Sequence, residues 1–153
     1  MSKIAVKNFR KDIVKLEEKI RLIPESVGPE AYPLDHNFAE GLYIRKIRVP
    51  KGHLVVTKIH KKSHPFFMMR GDVSILTEDG VVRLKAPFCD ITKAGTKRVI
   101  YMHEDVEWVT VHATQETNLD DIEHDLIAKD YTEFDQFLDH GEAKKLLSIM
   151  EGE

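Results

Sequence analysis

The residues best suited to chemistry lie close together, in the stretch KIHKKSHPFFMMRG from Lys58 to Gly71. His60 and His64 are four residues apart, and Lys58 precedes His60 by two. Histidine pairs at short spacing often bind metals, whereas a protonated lysine offers no lone pair. The stretch therefore suits either a metal centre or a site for a ligand that prefers positive charge.

Strand periodicity predicts which of these side chains point together. In HLVVTKIH, alternation places Lys58 and His60 on one face, and His64 follows after a short turn. In KRVIYM, alternation places Arg98 on the face of Ile100 and Met102. If the sheet closes, we expect Lys58, His60, His64 and Arg98 to share one interior.

The surrounding sequence divides into four segments of one domain. Residues 1–23 predict an N-terminal helix, and 24–41 a Pro/Gly-rich arm without regular structure. Residues 42–114 contain short β-branched and aromatic runs typical of an antiparallel sandwich or small barrel. Residues 115–153 predict a C-terminal helical segment.

Local residues predict where several elements begin and end. The apolar stripe of 8–22 predicts a helix capped by Asn8 and ended by Pro24, and it packs either on its own domain or on a second copy. Asp79-Gly80 predicts a β-hairpin, and Asn118 predicts the cap of a helix in the C-terminal segment.

Bulk composition excludes several classes of protein. The 153 residues carry a formal charge of −3 and are 42% hydrophobic, which is typical of one globular domain and gives no reason to expect nucleic acid. No run is long and apolar enough for a membrane span, no secretory signal is recognisable, and Cys89 is the only cysteine. We therefore expect a cytoplasmic protein with neither nucleic acid nor membrane as a partner.

Two glycines flank the histidines at a spacing that resembles the first motif of the cupin superfamily, G-x5-H-x-H-x3/4-E-x6-G. The positions are Gly52, Lys58, His60, His64 and Gly71. The segment 87–102, PFCDITKAGTKRVIYM, is similar to the second motif, with Arg98 where the fourth ligand histidine belongs. The motifs cover 52–102, and the flanking strands extend the resemblance to 42–114.

That resemblance implies an all-β fold, a cupin-type antiparallel β-barrel (jelly-roll-like), with the N-terminal helix and the C-terminal helices outside it. It also implies a homo-oligomer, either dimer or trimer. The segments HPFFMMRG, APFCDITKAGTKRV and HEDVEWVTVH are further similar to short cupin-like proteins of tailed phages and prophages. This second resemblance implies a phage accessory role in the host cytoplasm but no particular reaction.

The substitutions at the ligand positions predict a metal-free cationic pocket without a cofactor. Its ligand would be a small anion such as a nucleotide, a nucleotide sugar or a carboxylate, bound by cations, histidines and aromatic side chains. The candidates are Lys58, His60, His64, Arg98, Phe66, Phe67, Tyr101 and Trp108. If a metal site forms in spite of the cations, the expected ligands are His60, His64 and His103.

Two other functions use the same residues differently. A metal-independent sugar isomerase or epimerase would use His60 or His64 as the catalytic base, with Lys58 or Arg98 stabilising an oxyanion. A structural or interaction protein would bind no small molecule, its histidines being structural and its two cations paired with the acids Glu107 or Asp90. No role is assigned to His36 or His112.

Overall fold

The computed structural model describes residues 3–24, 26–28 and 31–152, and it is built from eleven strands and three helices within those ranges. The helices are α1 (Lys3–Arg21), α2 (Leu119–Leu126) and α3 (Tyr131–Met150). The strands are β1 (Leu34–Ala39), β2 (Leu42–Val49), β3 (Leu54–Val56), β4 (Ile59–His60), β5 (His64–Arg70), β6 (Asp72–Thr77), β7 (Gly80–Lys85), β8 (Phe88–Thr92), β9 (Val99–Met102), β10 (Val106–Ala113) and β11 (Ile127–Ala128).

The strands form three antiparallel sheets. The first has five strands in the order β1-β2-β10-β5-β8, the second has four in the order β3-β9-β6-β7, and β11 pairs with β4. All pairings among the described strands are antiparallel. The predicted antiparallel β core with helices at both ends of the chain is therefore confirmed.

A core of buried apolar side chains lies between the five-stranded and four-stranded sheets. Strict alternation produces it: in β5, Phe66 and Met68 are buried while Phe67 and Met69 are exposed. The residues of this core are Val49, Phe66, Met68, Val73, Ile75, Ile100, Met102 and Val106. Further along the same inward-facing sides of β5 and β10 lie the polar residues His64 and His112, so these strands place polar side chains next to the apolar core.

The helices pack on the outside of the strands. Ile122 and Leu126 of α2 bury against Tyr43 of β2, and Phe134 of α3 buries against Ile59 of β4. Helix α1 contributes Ile13, which is 2% exposed, so its stripe packs at least partly within its own chain. None of the described helices combines the length and apolar character needed to cross a bilayer.

Several predicted boundaries change in the structure. Helix α1 begins at Lys3, so Asn8 lies inside the helix and the predicted N-cap is wrong. The arm 24–41 contains strand β1, because Leu34–Ala39 finds a hydrogen-bonding partner in β2. The parts of the predicted helix and arm at 1–2, 25 and 29–30 lie outside the described residues.

Two local predictions are confirmed. Strands β6 and β7 form a hairpin in which Thr77 pairs with Gly80, so the loop is Glu78-Asp79, one residue before the predicted pair. Asn118 caps α2, its side chain accepting hydrogen bonds from the backbone N–H groups of Asp120 and Asp121 at 2.9 and 3.3 Å.

Candidate functional site

Three histidines meet at the inner surface of the five-stranded sheet. His64 precedes Phe66 by two residues in β5, and His112 follows Thr110 by two in β10. Because Phe66 and Thr110 are antiparallel partners, their inward rows bring His64 and His112 side by side. His60, at the end of β4, completes the group, which we call the histidine cluster.

The rings of the histidine cluster are in contact. Ring centroids are 4.3 Å apart for His60 and His64, 4.5 Å for His64 and His112, and 5.1 Å for His60 and His112. One ring nitrogen from each histidine can be chosen so that all three atoms lie within 4.8 Å of one another. His64 and His112 are buried, and His60 is partly buried.

The loop between β8 and β9 holds the backbone of this region. The Gly95 N–H donates to the His60 carbonyl at 2.9 Å, and the Ala94 N–H donates to the Ser63 hydroxyl at 2.9 Å. Ala94 and Gly95 belong to the second motif, and His60 and Ser63 lie in the first. The loop of the second motif therefore helps to position the segment that carries the histidines.

The cluster is held in its neutral form. Burial, the neighbouring histidines and Arg45 lower the pKa of His60 to about 2 and that of His112 to about 3. Burial also lowers the pKa of His64, and Arg98 contributes in the same direction. All three imidazoles therefore keep a lone pair at neutral pH.

Hydrogen bonds constrain two of the rings. His64 Nδ1 lies 3.4 Å from the Lys62 carbonyl, which can only accept, so the proton is on Nδ1 and the lone pair on Nε2. His112 Nε2 lies 2.8 Å from the Thr110 hydroxyl. Neither ring nitrogen of His60 has a hydrogen-bond partner within the described part of the chain.

Two arginines flank the cluster. Arg45 on β2 lies opposite Thr110 of β10, and its charge lowers the pKa of both His60 and His112. Arg98 lies beside His64 and lowers that group's pKa. Burial lowers the pKa of each guanidinium, and neither has an ion-pair partner within 4 Å among the residues described here.

Arg98 is held from several sides but is not fully satisfied. Its backbone N–H donates to the Thr57 hydroxyl at 2.9 Å, and its Nη1 donates to the Thr92 hydroxyl at 3.3 Å. Its guanidinium carbon lies 5.5 Å from the centre of the Phe66 ring, and Asp90 raises its pKa without reaching ion-pair distance. The Arg98 Nε is buried and has no hydrogen-bond partner in the described structure.

The Lys58 side chain points toward α2 rather than into the histidine cluster, although its charge contributes to lowering the pKa of His60. The backbone is not a strand at 57–58, so the alternation that aligned Lys58 with His60 is interrupted. The Lys58 side chain is 48% exposed, and its Nζ donates to Glu123 of α2 at 2.7 Å. Arg45, which is not among the residues predicted from the sequence, is a further cation beside the histidines.

The predicted aromatic residues separate into two groups. Phe66 and Trp108 stack on each other at 4.5 Å with nearly parallel rings and pack with the main core. Tyr101 and Phe67 lie on the outer faces and are exposed, so the structure does not bring them to the histidines. Tyr101 instead contacts the ring of His103 edge-on.

Two further histidines lie elsewhere. His103, the predicted third metal ligand, bonds to the Ser74 hydroxyl at 2.7 Å outside the histidine cluster. His36 lies on β1, and its Nδ1 is 2.6 Å from the Tyr43 hydroxyl. Tyr43 in turn stacks against His112 at 5.9 Å, so the Tyr43 ring connects His36 to the cluster.

The metal that the resemblance implies can be tested against these positions. Two of the four ligand positions hold Lys58 and Arg98, which offer no lone pair while protonated, so the motif's own ligand set does not fit a metal. A different set does: His60, His64 and His112 are neutral imidazoles with converging ligand atoms. His112 lies outside both motifs. The sequence signal that could have identified it is strand alternation, which places His112 on the same face of β10 as Trp108 and Thr110.

Comparisons with known proteins return fold likenesses alone. No protein-family model matches the chain, and no curated protein matches it. The solved structures similar to it include a cupin domain from Bordetella pertussis (16% identity, 54% of this chain and 93% of that one, TM-score 0.44). Another is a cupin-2 domain protein from Shewanella frigidimarina (13% identity, 65% of this chain and 92% of that one, TM-score 0.45). A third is the cupin-2 domain of an XRE-family transcriptional regulator from Enterobacter cloacae (10% identity, 56% of this chain and 99% of that one, TM-score 0.46). Similarity of this degree assigns neither a family nor an activity to the chain.

Proposed function

We propose that this chain is a cupin-like binding protein whose site beside the histidine cluster takes a small anion. The resemblance of the two sequence motifs supports the cupin-like part of this proposal. A phage accessory role and a cytoplasmic location stay predictions that rest on the sequence alone.

The observation that carries the proposal is the unsatisfied guanidinium of Arg98. Its Nη1 donates to Thr92, but its buried Nε has no hydrogen-bond partner among the described residues, and a buried donor left without a partner destabilises the fold. Arg45 adds a second half-buried guanidinium at the same cluster. An anion bound there would satisfy the Arg98 donor and neutralise the two charges together.

The aromatic residues narrow the class of anion. Phe66 and Trp108 stack on each other in the core, which leaves less ring face for a nucleobase or sugar than the sequence predicted. A planar guanidinium pairs best with the oxygens of a carboxylate or a phosphate. We therefore favour a small carboxylate or phosphate over a nucleotide or a nucleotide sugar.

The isomerase alternative is weakened by the same electrostatics. A general base works best when its pKa lies near the operating pH; the pKa of His60 is lowered to about 2, and burial also lowers the pKa of His64, the other candidate base. Histidines whose basicity is lowered in this way are better suited to accept a hydrogen bond or to bind a ligand than to abstract a proton at neutral pH.

The test is calorimetric titration of the metal-free protein, in EDTA, with inorganic phosphate, oxalate, succinate and a nucleotide sugar. We expect binding of phosphate or a dicarboxylate, weakened roughly tenfold or more in Arg98→Gln and in Arg45→Gln because each removes a charge-assisted contact. Lys58→Gln is the matched control and should bind as the wild type does. Binding that depends on Lys58 rather than on the arginines, or none with any of the four compounds, would overturn the proposal.

We also infer that the chain self-associates. The second half of α3 has four apolar side chains that are each more than half exposed, so nothing in the described part of the chain covers them. They are Leu146, Leu147, Ile149 and Met150. Apolar side chains concentrated on one exposed segment favour burial against another surface.

A further inference from the structure

We propose that His60, His64 and His112 together bind one divalent transition-metal ion and leave at least one coordination position open. This inference goes beyond the proposed anion site and stands without it, since water or chloride can fill the open position. It also replaces the expectation of a metal-free pocket, which was based on only two histidines.

Three separate strands deliver the ligands. His60 comes from β4, His64 from the start of β5 and His112 from the end of β10. Their candidate ligand atoms already lie within 4.8 Å of one another. Nitrogens that bind one zinc ion tetrahedrally at about 2.1 Å are roughly 3.4 Å apart, so small side-chain rotations complete the geometry.

The chemistry of the three side chains also fits a metal. A ligating imidazole must be neutral, and burial keeps all three in that form. The Lys62 carbonyl fixes the His64 tautomer, with the lone pair on Nε2, and the Thr110 hydroxyl contacts one nitrogen of His112. Hydrogen bonds of this kind orient metal-binding histidines in known sites.

The donor set predicts which ion binds and how many ligands the protein supplies. Three imidazoles without a carboxylate suit zinc, cobalt, nickel or copper rather than calcium or magnesium, which prefer oxygen. Three protein ligands with an open fourth position is the arrangement of zinc sites that also bind water or substrate.

The two flanking arginines add positive charge next to the proposed metal site. Arg45 and Arg98 repel a bare dication, so the bound ion should carry an anion such as hydroxide or chloride in its open position. It follows that neutralising either arginine strengthens metal binding, whereas the same change weakens anion binding by the metal-free protein. The two sites therefore respond in opposite directions to one substitution.

The experiment titrates Co²⁺ into EDTA-treated, desalted protein and follows the visible absorption of the cobalt complex. Elemental analysis and calorimetry with Zn²⁺ give the stoichiometry. We expect one ion per chain, at least tenfold weaker binding in His112→Ala and in His60→Ala, and unchanged binding in His103→Ala. Arg98→Gln should bind Co²⁺ more tightly than the wild type.

Circular dichroism and thermal unfolding of each metal-free variant establish that it is folded. Because His112 is buried, the partly exposed His60 provides an independent test if His112→Ala does not fold. No cobalt absorption with the folded wild-type protein overturns the proposal, as does wild-type affinity in folded His60→Ala. Loss of binding in His103→Ala would assign the metal to the outer surface instead.

Discussion

At the scale of single residues, neutrality of the histidine cluster links stability to pH. His60 and His112 have an ordinary pKa of 6.5 when unfolded and about 2 and about 3 when folded. Below pH 6.5 the unfolded chain therefore binds protons that the folded protein cannot accept. The free energy of unfolding is therefore unaffected by these groups above pH 6.5, the pKa of an unfolded histidine, and it decreases as the pH falls below that value.

We expect the free energy of unfolding of the metal-free protein to decrease from about pH 7.5 to about pH 5, by up to roughly 1.4 kcal/mol per pH unit for each buried histidine once the pH is below 6.5. Urea denaturation across that range measures it. His112→Phe, if folded, should make the curve less steep, because it removes one of the buried histidines while His60 remains. A wild-type curve that is flat over this range contradicts the burial of neutral histidines.

At the scale of elements, the loop between β8 and β9 depends on close contact with α3. Gly95 has φ +80°, and a Cβ built on it would lie 2.5 Å from Phe134 Cε1. Phe134 is itself packed against Ile59, next to His60. The glycine of the second motif is thus required for packing as well as for the turn that contacts the histidine cluster.

Gly95→Ala should lower the free energy of unfolding by about 2–4 kcal/mol, because it combines a left-handed backbone with overpacking of a buried ring. Gly141→Ala is the matched control: Gly141 lies in α3 with open space around its Cβ position, so the same change should stabilise by about 0.5–1 kcal/mol. Thermal and urea unfolding compare the two variants. Equal effects would contradict both the backbone strain at Gly95 and its close contact with Phe134.

The two asparagines predicted as helix caps provide a second comparison at this scale. Asn118→Ala should destabilise by about 1 kcal/mol, since its side chain satisfies two N–H groups at the start of α2. Asn8→Ala should be neutral or stabilise by about 0.5 kcal/mol, because Asn8 is exposed inside α1, where alanine is the better helix former. Urea unfolding of both variants checks this, and a larger loss at Asn8 would contradict the helix start at Lys3.

At the scale of the whole molecule, the exposed end of α3 determines the expected assembly. We expect light scattering to report a dimer or a larger oligomer, and Leu147→Glu combined with Ile149→Glu to shift it toward the monomer, because charge disfavours burial of this segment. Leu22→Glu is the matched control, since Leu22 is also exposed but lies at the other end of the chain. A monomeric wild type, or an oligomer that survives the double substitution, would exclude this surface as the interface.

The amino-acid sequence by itself determined the features that depend on near neighbours. Alternation in KRVIYM placed Arg98 on the face of Ile100 and Met102, both of which are buried, and Asn118 was identified as a cap from its position. Side-chain periodicity and capping are local properties, so they can be read along the chain.

Only the tertiary structure decided which polar groups meet. His112 joins His60 and His64 because antiparallel pairing of β5 with β10 aligns residues far apart in sequence. Arg45 reaches the cluster by pairing of β2 with β10, while the interruption at 57–58 directs Lys58 toward Glu123. Strand register and a break in a strand are set by long-range contacts, which periodicity along one segment does not contain.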